Sequence, residues 1–100
     1  MNTKQLSKIF KALSNPNRLK LFLEIVKNHE TSFQTSGECF ITDIIGSLNI
    51  GAPTISHHLK ELANADLIST ERKGKFLVVR LNENMLNEVK KILSLENYIK

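Results

Sequence analysis

A short segment near the middle of the chain, residues 52–64 (APTISHHLKELAN), carries the side chains best suited to bind another molecule. Its apolar residues recur at helical spacing, so a helix here has one buried face and one outer face. The outer face holds His57 and Lys60, with the hydroxyls of Thr54 and Ser56 on its flanks. Small hydroxyls, an imidazole and a cation reach base edges and phosphate oxygens without steric bulk. The inward positions are Ile55, Leu59 and Leu62.

Two histidines are adjacent in this segment. Neighbouring helical residues diverge by about 100°, so His57 and His58 do not easily share one metal ion. His57 points outward, which favours a DNA contact over a merely solvated side chain. His58 points toward the edge of the core, which favours a partly buried histidine that positions the helix.

A second group of cations lies around a glycine. Arg72, Lys73 and Lys75 flank Gly74 between two runs of strand-like residues, 67–71 and 76–81. A hairpin with this tip would place its cations along a DNA backbone or minor groove. One further cation, Arg18, has two interpretations of equal weight, a phosphate contact and a surface ion pair.

The remaining elements are predicted from apolar spacing. A first helix ends at Ser14, and Asn15 and Pro16 begin a second one as its cap and first turn. Residues 28–38 are polar and predict a loop. Next come a short third helix, the helix at 52–64 and the hairpin. A last helix ends the chain, with Ile99 as its furthest limit. The apolar stripes are Leu6, Ile9, Phe10 and Leu13; Leu19, Phe22, Leu23 and Val26, widened by Leu21 and Ile25; Ile41, Ile44, Ile45 and Leu48; and Met85, Leu86, Val89, Ile92 and Leu93.

This order predicts a mainly α chain with a small β-hairpin, the winged helix-turn-helix architecture, in which the second helix of the pair lies in the DNA major groove. One hundred residues predict a single domain over 1–100. The net charge of +4 suggests an anionic partner, and no apolar run approaches the length of a membrane span. The absence of a secretory signal and the single cysteine indicate a cytoplasmic protein. No nucleophile–base pair or phosphate-binding glycine loop is present, so an enzyme is not expected.

Three stretches together resemble ArsR-type bacterial repressors. FKALSNPNRLKLFLEI, with its A-L-x-x-P-x-R-L core, resembles the opening of that family, APTISHHLKELANADLI its recognition helix and TERKGKFLVVRL its wing. The resemblance spans roughly residues 5–93. It implies a homodimeric repressor that binds double-stranded operator DNA through Thr54, Ser56, His57 and Lys60, with Arg72, Lys73 and Lys75 on the wing. The first and last helices would form the dimer interface, through Leu6, Ile9, Phe10, Leu86, Val89 and Leu93.

The sequence departs from the metal-sensing members of that family. Phe40 and Thr42 occupy the positions of a C-x-C-D thiolate pair when Asp43 is aligned. Residues 82–96 contain no histidine, and Glu83 and Glu88 alone are poor zinc ligands. We therefore expect no metal site of these two types and no cofactor.

Four alternatives stay open. Cys39 could respond to thiol oxidation, or it could join His29, Glu30 and Glu38 of the 29–38 loop in a metal site. An unknown small molecule or a protein could also be the effector. Finally, winged helices serve as protein-interaction modules. An apolar or acidic outer face on the helix at 52–64 would favour that use, whereas His57, Lys60 and the basic hairpin favour DNA.

Overall fold

The computed structural model describes residues 1–32, 39–41, 44, 46, 48 and 50–95. It is mainly helical with an antiparallel hairpin, as predicted. The elements in chain order are α1 (Thr3–Leu13), α2 (Pro16–Ser32), β1 (Cys39–Phe40), α3 (Ala52–Asn64), β2 (Ile68–Lys73), β3 (Phe76–Leu81) and α4 (Glu83–Ser94).

The junction between α1 and α2 follows the predicted capping. Asn15 Oδ1 accepts hydrogen bonds from the backbone N–H groups of Asn17 and Arg18, both at 3.0 Å. Pro16 is the first residue of α2, where its missing N–H costs nothing. The cap therefore fixes where α2 begins and the angle at which it leaves α1.

The second helix is longer than predicted and turned about its axis. Residues 33–38 of the loop predicted over 28–38 lie outside the described residues. The helix continues to Ser32, so that prediction was wrong for residues 28–32. These residues are polar but include neither Gly nor Pro, and polarity alone does not end a helix. Leu21, Phe22 and Ile25 are buried, whereas Leu19 and Leu23 of the predicted stripe are exposed.

The predicted third helix is described only in part. Ile41 and Ile44 have helical backbone, and both are buried together with Leu48. Ile45 lies outside the described residues, as do Thr42 and Asp43.

The sheet has three strands in the order β1-β3-β2, one more than predicted. The short β1 pairs with the central strand β3 through Cys39↔Val79 and Phe40↔Val78. The hairpin turn is Gly74–Lys75, and Gly74 has φ +61°, which glycine adopts without a Cβ penalty. Two residues are typical of a tight hairpin connection.

The end of α3 is locked to the start of α4. The N–H of Leu67 donates to the carbonyl of Leu62 and that of Asp66 to Ala63, a Schellman motif with Asp66 in the left-handed position at φ 61°. Asn82 then donates its amide to the Asp66 carbonyl at 2.8 Å and caps α4 by accepting from the N–H of Met85. This contact fixes the exit of α3 relative to the last helix.

The last helix ends at Ser94, because Leu95 is left-handed at φ 57°, and Ile99 lies outside the described residues. Two of the residues predicted for a dimer interface, Ile9 and Val89, are buried in the core of this chain. Phe10 and Leu93 are exposed, and Leu6 and Leu86 are half-buried.

Candidate nucleic-acid interface

The outer face of α3 is arranged as its sequence predicts. Ile55, Leu59 and Leu62 are buried in the core. The candidate contact residues are all exposed, and they are Thr54, Ser56, His57 and Lys60. The outer face thus presents hydroxyls, an imidazole and an ammonium to one side of the molecule.

The first turn of α3 favours an anion. Gly51 occupies the N-cap position without a side-chain hydrogen bond, and the first turn contains no acidic residue. The free N–H groups and the helix dipole give this end partial positive charge. Thr54 and Ser56 lie close to this end, where a DNA phosphate would be stabilised.

The hairpin stands beside α3 and forms a cleft of about 260 Å³ with it. Ser56 and Lys60 line the cleft from α3, and Thr70 lines it from β2. Arg72 shares the strand face of Thr70, because side chains two apart in a strand point the same way. Arg72 therefore projects from the same face of the hairpin that lines this cleft.

The other two hairpin cations are placed differently. Lys73 lies next to Arg72 in β2 and so projects from the opposite face. Lys75 is in the turn, with its Nζ 5.6 Å from the centre of the Phe76 ring. Arg72, Lys73 and Lys75 are all exposed, so the basic tip surrounds the turn on more than one side.

Arg18 has a role that neither sequence interpretation anticipated. Its Nε donates to Nδ1 of His58 at 3.4 Å, a long hydrogen bond, and its Nη1 donates to the Ala12 carbonyl at 3.1 Å. The half-buried guanidinium therefore joins the end of α1 to α3. The inward position of Arg18 could have been found from the sequence. Arg18, Leu21, Phe22 and Ile25 follow the i, i+3, i+4, i+7 spacing of the buried stripe.

His58 is the one charged or polar side chain among the described residues that is fully buried, with 5% of its surface exposed. Burial lowers the pKa of its imidazole below the ordinary value of 6.5, and the charges of Arg18 and His57 lower it further. The neutral ring accepts from Arg18 at Nδ1 and so carries its proton on Nε2. That Nε2 has no hydrogen-bond partner within the described part of the chain. His57 faces outward, and His58 is more deeply buried than the partly buried histidine that the sequence predicts.

A second cleft, which the sequence interpretation missed, lies on the other side of α3. It separates α3 from α1 and has a volume of about 740 Å³. His57 and Glu61 line it from α3, Lys8 and Lys11 from α1, and Arg18 from α2. Lys8 and Lys11 had no sequence signal beyond their charge, because lysines on a helix surface are usually solvated.

Several predicted features lie outside what the structure describes. These are the side chains of His29, Glu30, Glu38 and Cys39, so the loop and thiol alternatives remain predictions. The described residues contain no group of three or more His, Cys, Asp or Glu placed to hold a metal ion. Within the same residues, no helix has the length and apolar character needed to cross a bilayer.

Sequence comparison identifies related proteins along most of the chain. The family model described as bacterial regulatory protein, arsR family, matches residues 31–70. The transcriptional repressor SdpR of Bacillus subtilis (strain 168) is 37% identical over 83 residues, which cover 83% of this chain and 82% of SdpR. The chain belongs to the ArsR family of bacterial regulatory proteins. It is a DNA-binding transcriptional regulator, and the relatives that support this are regulators rather than enzymes.

Solved ArsR-family structures share this fold. A crystal structure of an ArsR family transcriptional regulator superposes with a TM-score of 0.72 at 18% identity, covering 97% of this chain and 91% of the other. The solution structure of the homodimeric winged helix-turn-helix DNA-binding domain Mb0332 of Mycobacterium bovis has a TM-score of 0.59 at 20% identity, covering 93% and 82%. These likenesses establish the winged-helix fold of the ArsR-family chain.

Proposed function

We propose that this ArsR-family chain is a homodimeric repressor, one domain per protomer, that binds a palindromic or near-palindromic promoter operator. The observation that supports it is the cleft shared by Ser56 and Lys60 of α3 and Thr70 of β2, with Arg72 on the same hairpin face. α3 enters the major groove, and the hairpin follows the backbone or the adjacent minor groove. Binding at a promoter excludes RNA polymerase.

The dimer forms through α1 and α4. Phe10 and Leu93 expose large apolar surfaces that a second copy would cover, and the half-buried Leu6 and Leu86 add to them. Ile9 and Val89 support these helices from within the protomer rather than touching the partner. A symmetric pair places two α3 helices about 34 Å apart, one turn of DNA. Mb0332, which has the same fold, is homodimeric, and this supports a dimer without defining its interface.

A DNA titration distinguishes the residues proposed to contact phosphates from those proposed to contact base edges. Lys60→Ala, or neutralisation of Arg72, Lys73 and Lys75, removes phosphate contacts, so affinity falls for every sequence and the salt dependence becomes shallower. His57→Ala or Ser56→Ala removes base-edge contacts, so the preference among operator variants changes at particular positions by about 1–3 kcal/mol. Both are measured by fluorescence anisotropy on the promoter of its own gene at two salt concentrations.

Glu24→Gln provides the control, because Glu24 lies on α2 and lines neither cleft. It should change neither affinity nor sequence preference by the amounts above. If the α3 and hairpin variants behave like this control while the wild-type chain binds, then α3 is not the helix that reads the operator.

A further inference from the structure

The cleft between α1 and α3 carries an excess of positive charge that the proposed operator contacts do not use. Lys8, Lys11 and Arg18 line it as cations, and Glu61 is the only acid that lines it among the described residues. Lys8 and Lys11 are exposed, whereas Arg18 and Glu61 are half-buried. A concave surface with low-dielectric walls strengthens the local field of such charges. The cleft is therefore suited to an anion.

Arg18 is the preorganised part of this cleft. Two of its donors are fixed, with Nε on His58 and Nη1 on the Ala12 carbonyl. The hydrogen bonds it makes to the described residues do not involve Nη2. A guanidinium held in one orientation loses little conformational entropy when it meets a planar or tetrahedral oxyanion.

The backbone at the start of α2 does not supply the site. The N–H groups of Asn17 and Arg18 are already bound by Asn15 Oδ1. An anion in the cleft would depend on the side chains of Lys8, Lys11 and Arg18, with the imidazole of His57 at its rim. At about 740 Å³ the cleft has room for a phosphate with an attached organic group.

We propose that the α1–α3 cleft is a phosphate-binding site, in which Lys8, Lys11 and Arg18 hold the oxyanion. The phosphate comes either from the DNA backbone that flanks the operator contacts or from a free phosphate-bearing small molecule. A phosphate from either source would bind to the same three cations, and it would bring a negative charge next to His57 on the outer face of α3. A free ligand would therefore compete with DNA, whereas a backbone phosphate would add to DNA affinity.

The key variant is Lys8→Gln with Lys11→Gln. Both side chains lie on the flank of α1 away from exposed Phe10, so the proposed dimer surface stays intact. Lys20→Gln with Lys27→Gln removes the same charge from α2 outside the cleft. Lys8→Arg with Lys11→Arg keeps the charge in the cleft. Sedimentation and circular dichroism confirm equal assembly and folding for all variants.

One arm measures salt dependence on a random-sequence duplex of about 30 base pairs, long enough for two half-sites. If DNA supplies the phosphate, the slope of log K against log salt falls by about 0.9 for each phosphate that Lys8→Gln/Lys11→Gln no longer neutralises. The α2 control should keep a steeper slope, and the arginine pair should restore the wild-type value.

The other arm titrates inorganic phosphate and pyrophosphate into the DNA-free protein and follows the ¹H–¹⁵N signals of Arg18 and its neighbours. A free phosphate ligand is identified by two results together. The NMR signals of the wild type shift saturably and those of Lys8→Gln/Lys11→Gln do not, while the slope of log K against log salt is the same for both. Wild-type behaviour of that variant in both arms overturns the proposal. If the wild-type chain does not bind DNA at all, the repressor function is contradicted. The phosphate titration would still show whether the α1–α3 cleft binds phosphate.

Discussion

Individual residues on α3 divide into those that face outward and those that pack against the rest of the chain. His57 and His58 are adjacent, yet one is exposed and the other is buried against Arg18. Burial lowers the pKa of the His58 imidazole, and the charges of Arg18 and His57 lower it further, so the neutral form is favoured. The packing of α3 against Arg18 therefore depends on the protonation of one side chain.

The stability of the protein should consequently fall as the pH drops below about 6.5. The pKa of His58 is lower in the folded chain than in the unfolded one, so the unfolded state binds the proton more readily. The stabilisation is complete above the unfolded pKa and is lost as the pH falls toward the folded value. The melting temperature of the wild type, measured between about pH 7.5 and 5.5, should decrease more than that of His58→Gln.

His57→Gln serves as the matched control, since it removes the neighbouring imidazole without removing the buried one. This variant should keep most of the pH dependence of the wild type. Equal slopes for wild type and His58→Gln would show that the buried histidine does not set the acid sensitivity.

Among the elements, the end of α3 depends on a residue that belongs to another helix. Asn82 caps α4 through its side-chain oxygen and binds the Asp66 carbonyl through its amide, and its own N–H donates to the Leu67 carbonyl at 3.0 Å. The Schellman motif orders the turn after α3, and Asn82 fixes that turn to α4. The exit of α3 and the start of α4 thus depend on the same side chain.

Asn82→Ala should destabilise the chain by about 1–2 kcal/mol, through loss of the cap and of the bond to Asp66. For a domain of this size each kcal/mol corresponds to about 4–8 °C in melting temperature. Calorimetry measures the shift. Asn87→Ala is the control, because Asn87 is an exposed residue within α4 and alanine is the better helix former. A loss in Asn87→Ala as large as that in Asn82→Ala would contradict the assigned role.

At the scale of the whole molecule, exposed apolar side chains lie on three helices, and Met1, Phe76 and Leu95 are exposed as well. Phe10 and Leu93 lie on α1 and α4, and Leu19 and Leu23 lie on α2. The proposed dimer covers only the first pair. A chain of 100 residues buries a modest share of its surface, so association would add considerably to its stability.

Phe10→Glu with Leu93→Glu should therefore shift the protein from dimer to monomer in sedimentation equilibrium. Operator affinity should fall steeply, because a monomer contacts one half-site. Leu23→Glu introduces the same charge on the other apolar surface and should leave the mass unchanged. Dissociation caused by Leu23→Glu, with no effect of the Phe10 and Leu93 changes, would place the interface on α2.

The sequence by itself determined the type of most described elements and the inward and outward faces of α3. The cap at Asn15 and Pro16 and the stripe of Ile55, Leu59 and Leu62 are local signals, since they depend on residues a turn or less apart. The hairpin was readable for the same reason, with Gly74 able to adopt positive φ at its turn. The outward placement of His57 and Lys60 followed directly from helical periodicity.

Only the tertiary structure decided which face of α2 is buried. Apolar residues from Leu19 to Val26 satisfy the helical spacing in two phases, one through Leu19 and Leu23 and one through Leu21 and Ile25. The second phase places Arg18 on the inward stripe, where it meets His58 and the end of α1. That meeting joins residues 40 positions apart, as does the pairing of β1 with β3. Sequence periodicity describes one element at a time, whereas such contacts depend on how several elements pack together.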